Sequence, residues 1–187
     1  VAFYLGKFGY LYYDETAFAI FCKLLHEHHP NFFFLIVTPN PQKEVEAAFL
    51  EQGFSNQDFL ILPKIPYKEV ESYISSADLG LVAIPPFPSQ KYRTPVKVGN
   101  YLACSLPYLI TRGIADDDVL AEKEQVGVVF ESFEAKDFQK AIPALDKLLV
   151  EDKTTLRERC RKVAVEQRGL HNAETAINTL LIAVFED

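Results

Sequence analysis

Short apolar runs and amphipathic helical stretches alternate along the chain almost without interruption. The apolar runs are continuous rather than alternating, which is typical of strands buried on both faces of a parallel sheet. Helical spacing follows the first run, at Phe18, Phe21, Leu24 and Leu25. The pattern predicts strands at 1–5, 31–38, 58–62, 78–84, 107–111 and 126–130. It predicts helices at 13–28, 44–52, 67–76, 95–105, 116–123, 134–150, 152–167 and 171–185.

This order of elements predicts an α/β fold, a Rossmann-like doubly wound parallel sheet of about six strands flanked by helices. We expect one domain over 1–187, in which 151–187 form C-terminal helices. In such sheets, ligands bind beyond the carboxyl ends of the strands, near the point where the strand order reverses. The loops in which we therefore expect the functional site are 6–10, 62–66, 85–95 and 111–118.

Composition narrows the function classes. The chain has 19 Lys+Arg against 26 Asp+Glu, a net charge of −7, which argues against binding of nucleic acid or anionic membranes as its main task. No apolar run approaches the ~20 residues that span a bilayer. The three scattered cysteines, Cys22, Cys104 and Cys160, fit buried thiols in a reducing compartment, so we expect a cytoplasmic location.

The chain contains no methionine and opens directly on the predicted strand 1–5. We expect a segment of a longer protein, with a trimmed or processed complete chain as the alternative. Any signal sequence or membrane anchor would then lie in the preceding part, through which a membrane association would also arise.

Two glycines follow the first strand, in Gly6-Lys7-Phe8-Gly9. They allow close approach of a backbone or a positive φ, and Lys7 offers a cation to a phosphate. The segment is neither G-x-G-x-x-G nor a P-loop. Phosphate contact and an ordinary tight turn between strand and helix both remain open.

The segment 89–97 carries a stronger signal for an anion. Thr94 as N-cap with Pro95 behind it would leave helical N–H groups facing the loop, where the helix dipole favours negative charge. Lys97 lies in that first turn, where a cation opposes the dipole and indicates a ligand. Lys91 and Arg93 add positive charge. The alternative is a solvated loop with a chance cation.

Two further clusters do not predict a metal site. His26, His28 and His29 close a helix, where positive charge suits the dipole, and no i,i+4 pair or nearby carboxylate completes a ligand set. Asp116, Asp117 and Asp118 begin a helix, where N-capping by Asp116 explains them better than metal binding.

The most specific residues lie in 78–107, with Asp-Leu-Gly-Leu at 78–81, Ser89 and Thr-Pro-Val-Lys-Val-Gly-Asn-Tyr-Leu-Ala-Cys-Ser-Leu-Pro at 94–107. Together with 4–9 and 66–74, they resemble the C-terminal, nucleotide-sugar-binding half of GT-B glycosyltransferases. The family most similar is the retaining family 4 type, also called glycosyl transferases group 1. The resemblance runs from about residue 3 to residue 150.

The resemblance implies a donor site made of Gly6, Lys7, Gly9, Lys64, Ile65, Ser89, Thr94, Lys97 and Asn100. The residues that would hold the diphosphate are Gly6, Lys7, Ser89, Thr94 and Lys97. Lys64 and Ile65 would edge the nucleobase, and Asn100 would face the ribose. The family has a pair of glutamates in this region. Asn100 stands at the position of the later glutamate, and Tyr92 stands at the position of the earlier one. The family's glycine before Leu-Pro is Ser105 here.

The function that this resemblance implies is binding of the donor in a sugar-transfer reaction. The donor would be a nucleotide-diphosphate sugar, expected to be UDP-linked, and the acceptor a saccharide, lipid or protein. The expected partners are the nucleotide sugar and an N-terminal acceptor domain absent from the sequence. We expect no metal and no nucleic acid, assign no catalytic residue, and expect this segment alone to be inactive. The alternatives are a non-catalytic nucleotide-sugar-binding or scaffold domain and a fragment of a GT-B-like nucleotide-sugar epimerase.

Overall fold

Six parallel strands form one sheet in the computed structural model, which describes residues 1–185 and side-chain environments as far as Ile182. The strands are β1 (Ala2–Leu5), β2 (Phe34–Val37), β3 (Phe59–Leu62), β4 (Leu79–Val82), β5 (Tyr108–Thr111) and β6 (Gly127–Phe130). Their order is β3-β2-β1-β4-β5-β6, and every neighbouring pair is parallel. The predicted Rossmann-like doubly wound fold is confirmed, with the reversal of strand order between β1 and β4.

Helices cover both faces of this sheet. They are α1 (Glu15–His28), α2 (Gln42–Glu51), α3 (Tyr67–Ser75), α4 (Val96–Ala103), α5 (Asp117–Lys123), α6 (Ala135–Val150), α7 (Lys153–Arg168) and α8 (Leu170–Phe185). A 3-10 turn spans Pro88–Tyr92. α1 packs against α2 and α6, whereas α4 packs against α7. Right-handed crossovers on either side of the reversal place these two groups on opposite faces.

Strand burial explains the continuous apolar runs. All four residues of β2, β4 and β5 are buried, as expected for strands covered by helices on both sides. Under α1, a group of aromatic rings fills the core, and Phe21 stacks on Phe133 with ring centroids 3.8 Å apart. These rings join α1 to β6 and α6, because Phe21 also lies edge-on to Phe130 and Phe138.

Tyr101 ties α4 to both strands at the reversal point. A side chain on Gly80 of β4 would place its Cβ 2.5 Å from the Tyr101 ring, so only glycine fits there. The Tyr101 hydroxyl accepts a hydrogen bond from the Leu5 amide at 3.3 Å and donates one to the Leu81 carbonyl at 3.2 Å. Burial raises the pKa of this phenol, which stays neutral. α4 is therefore held directly over the carboxyl end of β1.

The predicted cap at Thr94 is wrong, and the cap at Asp116 is right in position but makes no capping hydrogen bond. α4 begins at Val96 after an extended Pro95, with φ −73° and ψ 121°, and no side chain caps it; Thr94 is exposed instead. Asp116 occupies the cap position of α5 without accepting a capping bond. Other donors engage the neighbouring carboxylates, because Asp118 accepts from the Gly113 amide at 2.9 Å and Asp117 pairs with Arg168.

The C-terminal helices differ in burial. α7 buries Leu156, Cys160, Val163 and Ala164, whereas α8 exposes a set of apolar side chains: Leu170, Ile177, Leu180, Leu181 and Ile182. Within residues 1–185, no helix is both long enough and apolar enough to cross a membrane. Cys22 and Cys160 are buried as predicted, whereas Cys104 is half-buried, and all three thiols are free.

Candidate functional site

A cleft of about 510 Å³ opens beside the reversal point, between the loops that follow β1, β2 and β3 and the helices α3 and α4. Its lining residues are Leu5, Gly6, Lys7, Tyr12, Val37, Thr38, Pro39, Lys64, Ile65, Tyr67, Val70 and Asn100. Five of the predicted site residues are therefore brought together here, from segments that are far apart in the sequence: Gly6, Lys7, Lys64, Ile65 and Asn100.

A larger groove, of about 940 Å³, runs along α7. It includes Asp78, which immediately precedes β4, so the groove lies at the amino ends of the strands. Its walls carry both signs of charge, as in Arg157 and Glu158. Ligands of doubly wound sheets bind at the opposite end, so the smaller cleft is the candidate site.

Lys97 is a buried cation beside this cleft. Its side chain lies in the first turn of α4 and is only 9% exposed, and its Nζ has no hydrogen-bond partner within the described residues. The ammonium lies 4.5 Å from the centroid of the Tyr4 ring and 5.1 Å from that of Tyr12. Burial lowers the pKa of Lys97 from 10.5 to about 7. An uncompensated ammonium in this position is costly, and an anion would relieve it.

Gly6 leaves the room that this ammonium occupies. A Cβ at Gly6 would lie 2.6 Å from Lys97 Nζ and 3.2 Å from the Tyr4 hydroxyl, so any side chain would intrude on both groups. Glycine instead lets the ammonium lie against the backbone of the loop after β1. We call Gly6, Lys97 and the Tyr4 ring beneath them the Gly6–Lys97 cradle.

Three cations surround the half-buried ring of Tyr12. Lys7 Nζ lies 5.9 Å from the ring centroid, Arg93 Cζ 5.8 Å and Lys97 Nζ 5.1 Å, within the range of cation–π attraction. Across the described part of the chain, no carboxylate oxygen comes within 4.0 Å of these three groups. The cleft therefore has a local positive charge inside an acidic protein.

The loop after β1 is fixed by its own hydrogen bonds. The Tyr4 hydroxyl donates to the Lys7 carbonyl at 2.6 Å, and the Phe8 amide donates to Asn40 Oδ1 at 3.0 Å. Gly9 has φ +81°, and its amide donates to the Tyr13 carbonyl at 3.1 Å. Gly9 thus closes the turn, whereas Gly6 faces the cleft, and the two glycines serve different purposes.

Gln90 holds the loop after β4 and was not predicted. It is fully buried in the 3-10 turn, where its Nε2 donates to the Leu11 carbonyl at 3.1 Å and its Oε1 accepts from Arg93 at 3.0 Å. Its backbone carbonyl accepts from the Ala115 amide at 3.1 Å. Gln90 therefore positions Arg93 near Tyr12. The sequence offered no sign of this, because glutamine is usually exposed.

The remaining predicted residues lie at the rim or outside it. Ser89 and Thr94 are exposed, one in the 3-10 turn and one ahead of α4, and neither lines the cleft. Tyr92 is 79% exposed, with Lys91 Nζ 4.8 Å from its ring centroid. Asn100 is half-buried in α4 and faces the cleft that Lys64 and Ile65 also line.

The prediction that no carboxylate lies near the histidines of α1 is wrong. Asp146 of α6 contacts both His28 and His29. This contact joins positions more than 100 residues apart, so local spacing could not indicate it.

Comparison with known proteins supports the fold but gives no sequence relative. No protein-family model and no curated protein matches the chain. Among solved structures, WaaG, a glycosyltransferase involved in lipopolysaccharide biosynthesis, aligns with a TM-score of 0.67 and 19% identity over 94% of this chain and 45% of that one. The C-terminal domain of the group 1 glycosyl transferase LpcC from Francisella tularensis aligns with a TM-score of 0.65 and 14% identity, over 90% of this chain and 86% of that domain.

A third match is a trehalose-6-phosphate structure from E. coli bound with UDP-2-fluoro glucose, with a TM-score of 0.61 and 14% identity over 96% of this chain and 43% of that one. The fold of the present chain is thus that of the C-terminal domain of GT-B glycosyltransferases, as the resemblance implied. The chain spans less than half the length of WaaG and nearly all of the LpcC domain.

Proposed function

We propose that the chain binds the donor of a sugar-transfer reaction, a nucleotide-diphosphate sugar that is linked to UDP. The observation that carries the proposal is the buried ammonium of Lys97, which has no hydrogen-bond partner among the described residues and lies against Gly6 in the wall of the cleft. This cradle lies at the reversal of strand order, where doubly wound sheets bind their ligands.

The chemistry of the cradle suits a diphosphate. Phosphate oxygens are ionised acceptors, and charge-assisted hydrogen bonds to them are roughly twice as strong as neutral ones. Lys97 would contact such an oxygen beside Gly6, while Lys7 and Arg93, which surround Tyr12, would supply further positive charge. The first turn of α4 adds its dipole to the same point.

The rest of the cleft extends from the cradle toward Lys64 and Ile65 and has room for a nucleoside. In this arrangement the base lies along the loop after β3, and Asn100, one helical turn after Lys97, faces the ribose. Ser89 and Thr94, both exposed ahead of α4, would add contacts to the diphosphate from the rim of the cleft. The acceptor, a saccharide, lipid or protein, would be held by a preceding N-terminal domain.

The contribution of this chain to the reaction would be electrostatic. As the sugar leaves, negative charge grows on the diphosphate, and preorganised cations stabilise that charge more than they stabilise the bound donor. Lys97 is preorganised by its burial, and a hydrogen bond from the Tyr4 hydroxyl holds the backbone of Lys7. In this proposal these groups act without a metal, and no proton transfer is assigned to the chain.

A second candidate is a nucleotide-sugar-binding domain without transfer activity. The observation that favours it is that both positions where the similar family has a glutamate lack a carboxylate here. They are occupied by Asn100, which is neutral, and by Tyr92, which is exposed. This candidate shares the cradle, so only activity assays on the longer protein separate the two. Turnover of UDP-sugar without acceptor would instead favour an epimerase.

Calorimetric titration with UDP and GDP tests the proposal. We expect binding of UDP at millimolar concentration or below, and no sugar transfer by this chain alone, because transfer needs both substrates held in register. Lys97→Ala should weaken UDP binding about tenfold or more, since a charged hydrogen bond is worth roughly 1.5–3 kcal/mol. Lys123→Ala is the matched control, because Lys123 is exposed on α5. Equal losses in the two variants, or no binding by the native chain, would refute the site.

A further inference from the structure

Two histidines and an aspartate converge on one point far from the cleft. His28 Nε2 lies 2.8 Å and His29 Nε2 2.9 Å from the same oxygen, Oδ1 of Asp146. The three potential ligand atoms all lie within 4.8 Å of one another. Among the described residues, this is the one such group of three or more histidine, cysteine or acidic side chains. We call it the His28–His29–Asp146 cluster.

Two packed helices build the cluster. His28 is the last residue of α1 and His29 its C-cap, whose amide donates to the Leu25 carbonyl. Asp146 lies on α6, which packs against α1. Aromatic neighbours hold both rings from the side, Phe138 at 6.1 Å from His28 and Phe32 at 5.9 Å from His29. The imidazoles are thus oriented before any ligand arrives.

The contacts of both histidines with Asp146 are close to the ligand spacing of a tetrahedral metal site. With bonds of about 2.0–2.1 Å to nitrogen and oxygen, the ligand atoms of a Zn²⁺ site lie about 3.3 Å apart. Both nitrogens are already within half an ångström of that separation from Asp146 Oδ1. A cation would take the place of the two Nε2 protons, and each neutral imidazole would then carry its proton on Nδ1.

Access also fits a metal site. The three side chains are 28%, 34% and 45% exposed, so an ion can enter from solvent and keep water in its remaining position. Imidazole with a carboxylate suits Zn²⁺, whereas Mg²⁺ prefers a shell of oxygens. We infer that the His28–His29–Asp146 cluster is a Zn²⁺ site that links the C-terminal end of α1 to α6, independent of donor binding.

Calorimetric titration of the chain with Zn²⁺, its thiols kept reduced, tests this inference. The native chain and His171→Ala, which removes an exposed histidine of α8, should bind one Zn²⁺ with equal affinity. The double variant His28→Gln/His29→Gln should bind at least about 100-fold more weakly, because even outer-shell partners are worth about 10–100-fold in metal affinity. Mg²⁺ should not bind at this cluster.

Thermal unfolding provides the second measurement. Zn²⁺ should raise the melting temperature of the native chain and of His171→Ala, but not that of Asp146→Asn, because a ligand stabilises only the state that binds it. Equal Zn²⁺ affinity in the native chain and the double variant would overturn the inference. No binding at about 100 µM Zn²⁺, which corresponds to a binding free energy weaker than about 5.5 kcal/mol, would overturn it as well. Circular dichroism of each variant verifies that it is folded.

Discussion

Replacing Lys97 with methionine is expected to stabilise the unliganded chain and to weaken its binding of UDP. Methionine keeps the unbranched stem of lysine but removes the charge. The pKa of Lys97 is about 7 in the folded chain against 10.5 in water. Each tenfold change in that proton equilibrium is worth about 1.4 kcal/mol, so burial of the ammonium costs about 4–5 kcal/mol. Lost cation–π attraction offsets about 1 kcal/mol, which leaves a gain of about 3–4 kcal/mol.

The gain has a pH dependence of known sign. The folded pKa lies below the unfolded one, so between about pH 7 and pH 10 the unfolded chain binds more protons and the stability of the native chain rises with pH. Lys97→Met lacks this contribution. The difference in free energy of unfolding between variant and native chain should therefore shrink by about 2 kcal/mol from near pH 7 to near pH 9.

Urea unfolding at the two pH values measures that difference directly. The same variant should bind UDP about tenfold or more weakly, because the charged hydrogen bond is lost. A Lys97→Met chain that is less stable than the native chain near neutral pH would refute the reasoning. A stability difference that does not change with pH would refute it equally.

Three further substitutions address neighbouring positions. Gly6→Ala should weaken UDP binding about tenfold, because the new Cβ would lie 2.6 Å from Lys97 Nζ. Gly99→Ala is the control, because a Cβ there meets nothing within 4 Å among the described residues. Equal UDP affinity in the two variants would exclude the cradle. Asn100→Glu should tighten binding by about 0.5–1.5 kcal/mol, because a carboxylate can accept from both ribose hydroxyls; unchanged or weaker calorimetric binding by the folded variant would show that position 100 does not face the ribose. Ser105→Gly should raise the free energy of unfolding, measured by urea unfolding, by about 0.5–1 kcal/mol, because Ser105 has φ +62°. A loss of stability would show that the serine side chain compensates the backbone strain.

The fold could be predicted from the sequence because its signals are local. Continuous apolar runs indicated buried parallel strands, and the helical spacing between them indicated crossovers. Ser105 illustrates the same point, because its left-handed conformation falls where the resemblance has glycine. The capping bonds were mispredicted because Pro95 stays extended after Thr94, and because Arg168 from α7 pairs with Asp116 and Asp117.

The candidate site was predicted only in part, since its residues come together through tertiary structure. Gly6 and Lys97 were found because each lies next to a strand end or helix start, and the fold brings such ends to one edge of the sheet. Tyr12 and Gln90 were missed because neither residue type indicates an anion site by itself. Tyr12 matters because three cations surround its ring, and Gln90 matters because it bonds to two loops.

A crystal structure of the chain with UDP tests the central claim most directly. We expect a phosphate oxygen within about 2.7–3.2 Å of Lys97 Nζ and beside Gly6, with the base along Lys64 and Ile65. The main competing location is the groove along α7, where Lys153, Arg157 and Arg161 also offer positive charge. A diphosphate bound in that groove, with the Gly6–Lys97 cradle free of it, would contradict the account.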